Sequence, residues 1–124
     1  MNWRILLIIG VVAAVLIGLK RSGLVSVRTA REYLKNGALV IDVRTVGEFN
    51  SGHLPNAINI PLDEIETALP GRVPDKNQVL LLHCQSGMRS GMAKGKLKRL
   101  GYTNVFNLGS LARARSIVDR TGGN

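Results

Sequence analysis

LLLHCQSGMRSG, residues 80–91, carries the only cysteine of the 124-residue chain at the end of an apolar run. A loop containing Gly and Ser follows, and then an Arg. A short unbroken apolar run reads as a strand buried on both faces. QVLLLHC, residues 78–84, is therefore a long buried strand that ends on Cys84. Six residues, Cys84 to Arg89, connect it to an amphipathic helix beginning near Ser90. Met92, Leu97 and Leu100 lie on one face of that helix, and Gly101 is its C-cap.

The same pattern recurs upstream. ALVIDVR, residues 38–44, is a second continuous apolar run, and it closes on charge. Ahead of it a short helix runs to about Lys35, capped by Ser26 or Thr29, with Ala30, Tyr33 and Leu34 at helical spacing and Gly37 just past its end. VGEFNSGHLPNA is a helical turn broken by Gly52 and Pro55, and AINIP is a short strand stopped by Pro61. LDEIETALPG is a short helix with Asp63 as N-cap, Leu62, Ile65 and Leu69 pointing inward, and Pro70-Gly71 as its end. NVFNL is a strand and SLARARSIVDR a final helix before a frayed TGGN tail. Strands alternating with helices predict an α/β fold with a central parallel sheet flanked by helices. In such sheets ligands bind beyond the carboxyl ends of the strands. One long strand ends on Asp42-Val43-Arg44 and the other on His83-Cys84, so these groups belong to one rim and one site.

A short loop between a strand end and a helix N-terminus points several backbone N–H groups at one atom. The helix dipole adds about half a positive charge there, and Arg89 a full one. All three favour thiolate over thiol, which makes Cys84 a nucleophile with a lowered pKa. Gly87 supplies backbone torsions that a tight loop requires. The competing reading of Cys84 alone, a small buried hydrophobe, loses ground to the Gln85-Ser86-Gly87-Met88-Arg89-Ser90 sequence behind it.

These segments resemble a family. VIDVRTVGEFNSGHLPNAINIP (40–61) is similar to the first hallmark segment of rhodanese-homology domains, HCQSGMRS (83–90) to their active-site loop, and LGYTNVFNL (100–108) continues the pattern. The resemblance covers roughly residues 24 to 109. It implies a sulfurtransferase whose catalytic Cys, here Cys84, takes sulfane sulfur from a donor, holds it as a persulfide and passes it to a thiophilic acceptor, with no metal or organic cofactor. The donors it allows are small sulfur-containing anions such as thiosulfate, or persulfides, and a partner protein is among the acceptors. It also implies that Gln85, Ser86, Gly87, Met88 and Arg89 form the persulfide-binding loop, and that Asp42 orients the loop or Arg89. Arg44 either lines the mouth or pairs with Glu48, Ser90 supports the loop, and Glu48 and Phe49 are architectural. His53 holds a turn and His83 faces away from the nucleophile. Phosphatases and arsenate reductases have His-Cys-x5-Arg; here the spacing is His83-Cys84-x4-Arg89, too short to wrap a tetrahedral oxyanion. An alternative of another class is a rhodanese-fold binding or sensing module at the membrane, whose Cys84 accepts sulfur or oxidises but does not turn over. One departure stands out: the family continues with a Gly-Gly pair and a Trp, whereas here Ser110 follows Gly109 and no Trp follows.

The N-terminus differs from the rest. Ile5 to Leu19 are fifteen consecutive residues without a polar side chain. A signal-peptide core takes about 7–15 apolar residues and a spanning helix about 20. No small-x-small cleavage site follows; Lys20 and Arg21 do. With Trp3 and Arg4 at one interface and Lys20 and Arg21 snorkelling at the other, residues 3–21 are expected to be an uncleaved transmembrane anchor and 22–124 the rhodanese-like domain. A cleaved signal and export are the alternative. Lys20, Arg21, Arg28 and Arg31 outweigh Arg4, which places the domain on the cytoplasmic side of a bacterial-type inner membrane. A net charge of +9 fits anionic lipid headgroups. Two Phe, two Tyr and one Trp, with no basic-aromatic interleaving, argue against nucleic acid.

Overall fold

The computed structural model describes the backbone of residues 2–21 and 23–122, and the side chains of residues 2–15 and 23–119. In chain order the elements are α1 (Trp3–Arg21), α2 (Val27–Lys35), β1 (Leu39–Asp42), α3 (Val46–Asn50), β2 (Ile58–Asn59), a 3-10 turn (Leu62–Glu64), α4 (Ile65–Arg72), β3 (Leu80–His83), α5 (Met88–Arg99), β4 (Val105–Gly109) and α6 (Leu111–Gly122). The four strands form one parallel sheet in the order β2-β1-β3-β4, as the alternation of strands and helices predicts.

Alternate residues of the central strands feed two cores. Ile41, Val43, Leu80, Leu82 and Cys84 pack with Ile65 and Leu69 of α4 and Ala93 and Leu97 of α5. Val40, Leu81 and Leu108 pack on the other face with Ala30 of α2 and Ala114 and Ile117 of α6. β1 and β3 run in register, with Asp42 beside His83. Both strand ends therefore reach the same rim, where the site was expected.

Local chemistry explains most boundaries. Ser26 caps α2 by accepting the Thr29 N–H at 3.2 Å, and Gly37 takes the left-handed φ of 92° just beyond its end. Two helices differ from expectation. Asp63 caps nothing; the chain enters α4 through the 3-10 turn after Pro61. Pro70 lies inside α4, which ends at Arg72, because a proline in a last turn removes only one bond from the ladder. On α5, Met92 is exposed and the inward face is Ser90, Ala93 and Leu97.

The expected anchor forms a helix, α1, yet among the described residues no helix is long and apolar enough to cross a membrane. The run from Ile5 to Leu19 lacks the length: fifteen residues rise about 22 Å, against a hydrocarbon core of roughly 30 Å. The side chains of Lys20 and Arg21, expected to lengthen it, lie outside the described residues. The apolar side chains described on α1, from Trp3 to Val15, are exposed, and among the described residues neither core contains any of them.

Candidate active site

β3 delivers Cys84 to the rim with its side chain on the α5 face, fully buried. Its own N–H donates to the Gly109 carbonyl of β4 at 3.2 Å, which ties the residue to the sheet. The chain then turns through Gly87, at a φ of 100°, into α5. A Cβ at this position would also lie 3.3 Å from Gly109 Cα, so conformation and space both select glycine.

Three donors reach the sulfur. The Gly87 N–H lies 3.0 Å from Cys84 Sγ, the Ser90 N–H 3.4 Å and the Ser90 hydroxyl oxygen 3.5 Å. Burial alone pushes the thiol up. The Ser90 hydroxyl and amide, with the Gly87 and Ser86 amides, outweigh it, and the thiol lies below its ordinary value. The cradle expected of residues 85–89 therefore rests largely on Gly87 and on Ser90, which was assigned only a supporting part.

The charges are arranged differently from the sequence expectation. Arg89 donates to both Glu48 carboxylate oxygens, Nη1 to Oε1 at 2.6 Å and Nη2 to Oε2 at 2.9 Å, so its fork is occupied. Glu48 is thus more than architectural, although it also completes the capping box of α3 with Thr45. The Arg89 guanidinium, with the Thr45 amide, lowers the Glu48 carboxyl to about 2. A lowered folded pKa stabilises above the ordinary value near 4.5 and loses that stability as pH falls through about 2. The Glu48–Arg89 pair therefore persists throughout the neutral range. Beside it opens a cleft of about 330 Å³ that takes in Val43, Leu62, Arg89 and Lys96.

Arg44 does not pair with Glu48 and does not lie open at the mouth. It is 3 % exposed and forks onto Asp42, with Nη2 to Oδ2 at 2.8 Å and Nε to Oδ1 at 3.0 Å. It also donates to the Gly52 carbonyl at 2.8 Å and to Gln85 Oε1 at 3.4 Å. Asp42 accepts from Arg44 and not from Arg89, and it reaches the loop through the Arg44–Gln85 contact. Met88 is 75 % exposed at the start of α5. His53 sits as expected of a turn residue, its Nδ1 at 2.9 Å from the Phe49 carbonyl and its ring stacked on Phe49. His83 is buried on the other face from Cys84; burial, against the pull of the Asp42 carboxylate, holds its pKa below the ordinary value.

One residue was missed in the sequence. Asn107, 3 % exposed, ties β4 to the loop: its Oδ1 lies 2.7 Å from Ser90 Oγ and its Nδ2 donates to the Gly87 carbonyl at 3.2 Å. A polar residue among the alternating apolar ones of NVFNL was the available signal. Ser110, the departure from the Gly-Gly pattern, accepts the Arg113 N–H at 3.1 Å and so caps α6.

At the rim a buried cysteine sulfur at a strand end is met by the amide and hydroxyl donors of the loop that follows it. The family model described as "Rhodanese-like domain" matches residues 26–112. The chain belongs to the rhodanese-like family. This rhodanese-like domain is 44 % identical over 71 residues to thiosulfate sulfurtransferase PspE of Escherichia coli, covering 57 % of this chain and 68 % of that protein. Among solved structures it resembles an E. coli rhodanese with anions, at 40 % identity and a TM-score of 0.60, over 62 % of this chain and 91 % of that one. It also resembles the human single-domain sulfurtransferase TSTD1, at 31 % identity and a TM-score of 0.66, over 76 % of this chain and 96 % of that one.

Proposed function

We propose that this rhodanese-like sulfurtransferase carries sulfane sulfur on Cys84. The observation that carries the reading is the placing of the Gly87 and Ser90 amides on Cys84 Sγ, which stabilises an anionic sulfur. The Cys84 thiolate attacks the outer sulfur of a donor such as thiosulfate. The S–S bond of the donor breaks, sulfite leaves with the electron pair, and Cys84–S–S⁻ forms. A thiophilic acceptor then takes the terminal sulfur and restores the thiolate. Lowering the thiol's pKa replaces a general base, and the four-residue spacing to Arg89 suits sulfur better than phosphate. Incubating the full chain with thiosulfate and recording its intact mass tests this: one sulfur atom is gained, and cyanide discharges it as thiocyanate. Failure to gain sulfur from both thiosulfate and polysulfide would sink the reading, and sulfur gained but not discharged by cyanide would favour a non-turnover module.

Because Glu48 occupies the Arg89 fork, an anionic donor competes with it for the guanidinium. Glu48→Gln leaves a neutral partner there, and the thiosulfate KM is expected to fall about fivefold. An unchanged or higher KM would show that the donor does not use Arg89.

We also propose that α1 attaches the domain to a cell membrane, on its cytoplasmic side. The support is the exposed apolar surface from Ile5 to Val15, too extensive to stay in water, and the excess of Lys and Arg on the domain side of the apolar run. The expected result is recovery of the full chain in the membrane fraction with a C-terminal cytoplasmic reporter active. A chain recovered free of membrane, or an active periplasm-only reporter, overturns it.

A further inference from the structure

The Ser90 hydroxyl has one proton and three acceptors within reach. Asn107 Oδ1 lies at 2.7 Å, the Gly87 carbonyl at 3.1 Å and Cys84 Sγ at 3.5 Å. The Asn107 amide is oriented by its other contacts: Oδ1 accepts the Gly109 N–H at 2.8 Å, and Nδ2 donates to the Gly87 carbonyl at 3.2 Å. Oδ1 is therefore an acceptor, and the hydroxyl nearest to it donates to it. While the sulfur is neutral, the Gly87 and Ser90 amides point at it and the hydroxyl proton, within reach of it, points to Asn107.

We infer that Asn107 is a positioning residue that withholds the Ser90 hydroxyl proton from neutral sulfur and yields it as negative charge builds on Cys84. An anion is a stronger acceptor than a neutral amide, so charge on sulfur turns the hydroxyl. At rest the same competition keeps the thiol from becoming too acidic. That matters because the nucleophilicity of a thiolate falls as its pKa falls. The inference rests on Cys84 being the reactive sulfur.

The surrounding charges leave this exchange to the hydroxyl. From α5 and α3, Arg89 and Glu48 neutralise each other. On the opposite face of β1 and β3, Asp42 and Arg44 are paired beside His83. One turn along α5, Lys94 reaches the Gly23 carbonyl at 3.4 Å. Among the described residues none of these side chains bonds to Ser90 or to Asn107.

The test is the pH dependence of Cys84 alkylation by iodoacetamide in the full chain, followed by intact mass. Wild type, Asn107→Ala, Ser90→Ala and the double variant are compared. Asn107→Ala frees the hydroxyl for sulfur, so the midpoint falls and the thiolate fraction on the rising limb grows roughly threefold. Ser90→Ala raises the midpoint, and the double variant matches Ser90→Ala. A merely structural Asn107 predicts the reverse, because losing its bond to the Gly87 carbonyl loosens the loop and raises the midpoint. A rise, no change, or a fall that persists without the Ser90 hydroxyl overturns the inference. Should circular dichroism show Asn107→Ala unfolded, Asn107→Asp replaces it. Its carboxylate holds the hydroxyl harder, so the midpoint rises, and rises less in the Ser90→Ala background. Equal rises in both backgrounds overturn the inference. A wild-type midpoint at the ordinary thiol value would count against Cys84 as nucleophile, a failure distinct from any of these.

Discussion

Cys84→Ser is expected to gain no sulfur from thiosulfate and to lose sulfur transfer by at least about a thousandfold, the usual scale for removing a covalent nucleophile. The cause is chemical. A serine hydroxyl ionises far above neutral pH, and two amides with one hydroxyl cannot bring it down. The fold should persist, because serine is slightly smaller than cysteine and its oxygen inherits the same donors in the same cradle. Unchanged circular dichroism together with absent sulfur loading is therefore the expected pair of results. A loaded Cys84→Ser protein would mean that the sulfur resides elsewhere.

Arg44→Ala carries the largest expected cost to stability. Asp42 is wholly buried and accepts from the Arg44 backbone N–H as well as from its guanidinium. Removing the guanidinium leaves a carboxylate in the interior with one bond from its own chain. Breaking a buried pair from one side costs about 3–5 kcal/mol, most of it the penalty of the charge left behind. The ties to Gly52 and Gln85 vanish with it, which loosens the α3 turn and the loop together. Urea denaturation of the full chain should show the loss, and Asp42→Leu with Arg44→Leu should recover much of it by removing both charges. A cost under about 1 kcal/mol for Arg44→Ala would show that water reaches Asp42 and that the pair is not sealed.

The sheet was legible because each central strand is an unbroken apolar run, and such runs leave little choice but burial on both faces. The rim was legible for the same reason: both runs end abruptly on polar groups. Side-chain partners were not. Arg44 and Arg89 each had two carboxylates within plausible reach, Asp42 and Glu48, and composition does not distinguish the pairings. The capping box decides it, since Thr45 fixes Glu48 at the start of α3, turned toward Arg89. Asn107 escaped notice because a polar residue in a short strand reads as an outward-facing position until the neighbouring helix is in place. The apolar N-terminal run was legible as a helix, but the span expected of it is not found among the described residues, because fifteen apolar residues fall short of the roughly 20 that a crossing takes.

β3 and β4 slip out of register after Leu82, so that His83 lies opposite Gly109 and Leu108 is left over. That extra residue frees the Gly109 carbonyl to hold the Cys84 amide while the Gly109 amide holds Asn107. The Cys84 backbone is thus bolted to the sheet, whereas Gly87 and Ser90, the sulfur's donors, open α5 and are held to the sheet by Asn107. Anything that pries the first turn of α5 outward would leave the thiol where it is and remove what makes it acidic. The site would be disarmed without being displaced, and re-seating one helical turn would rearm it.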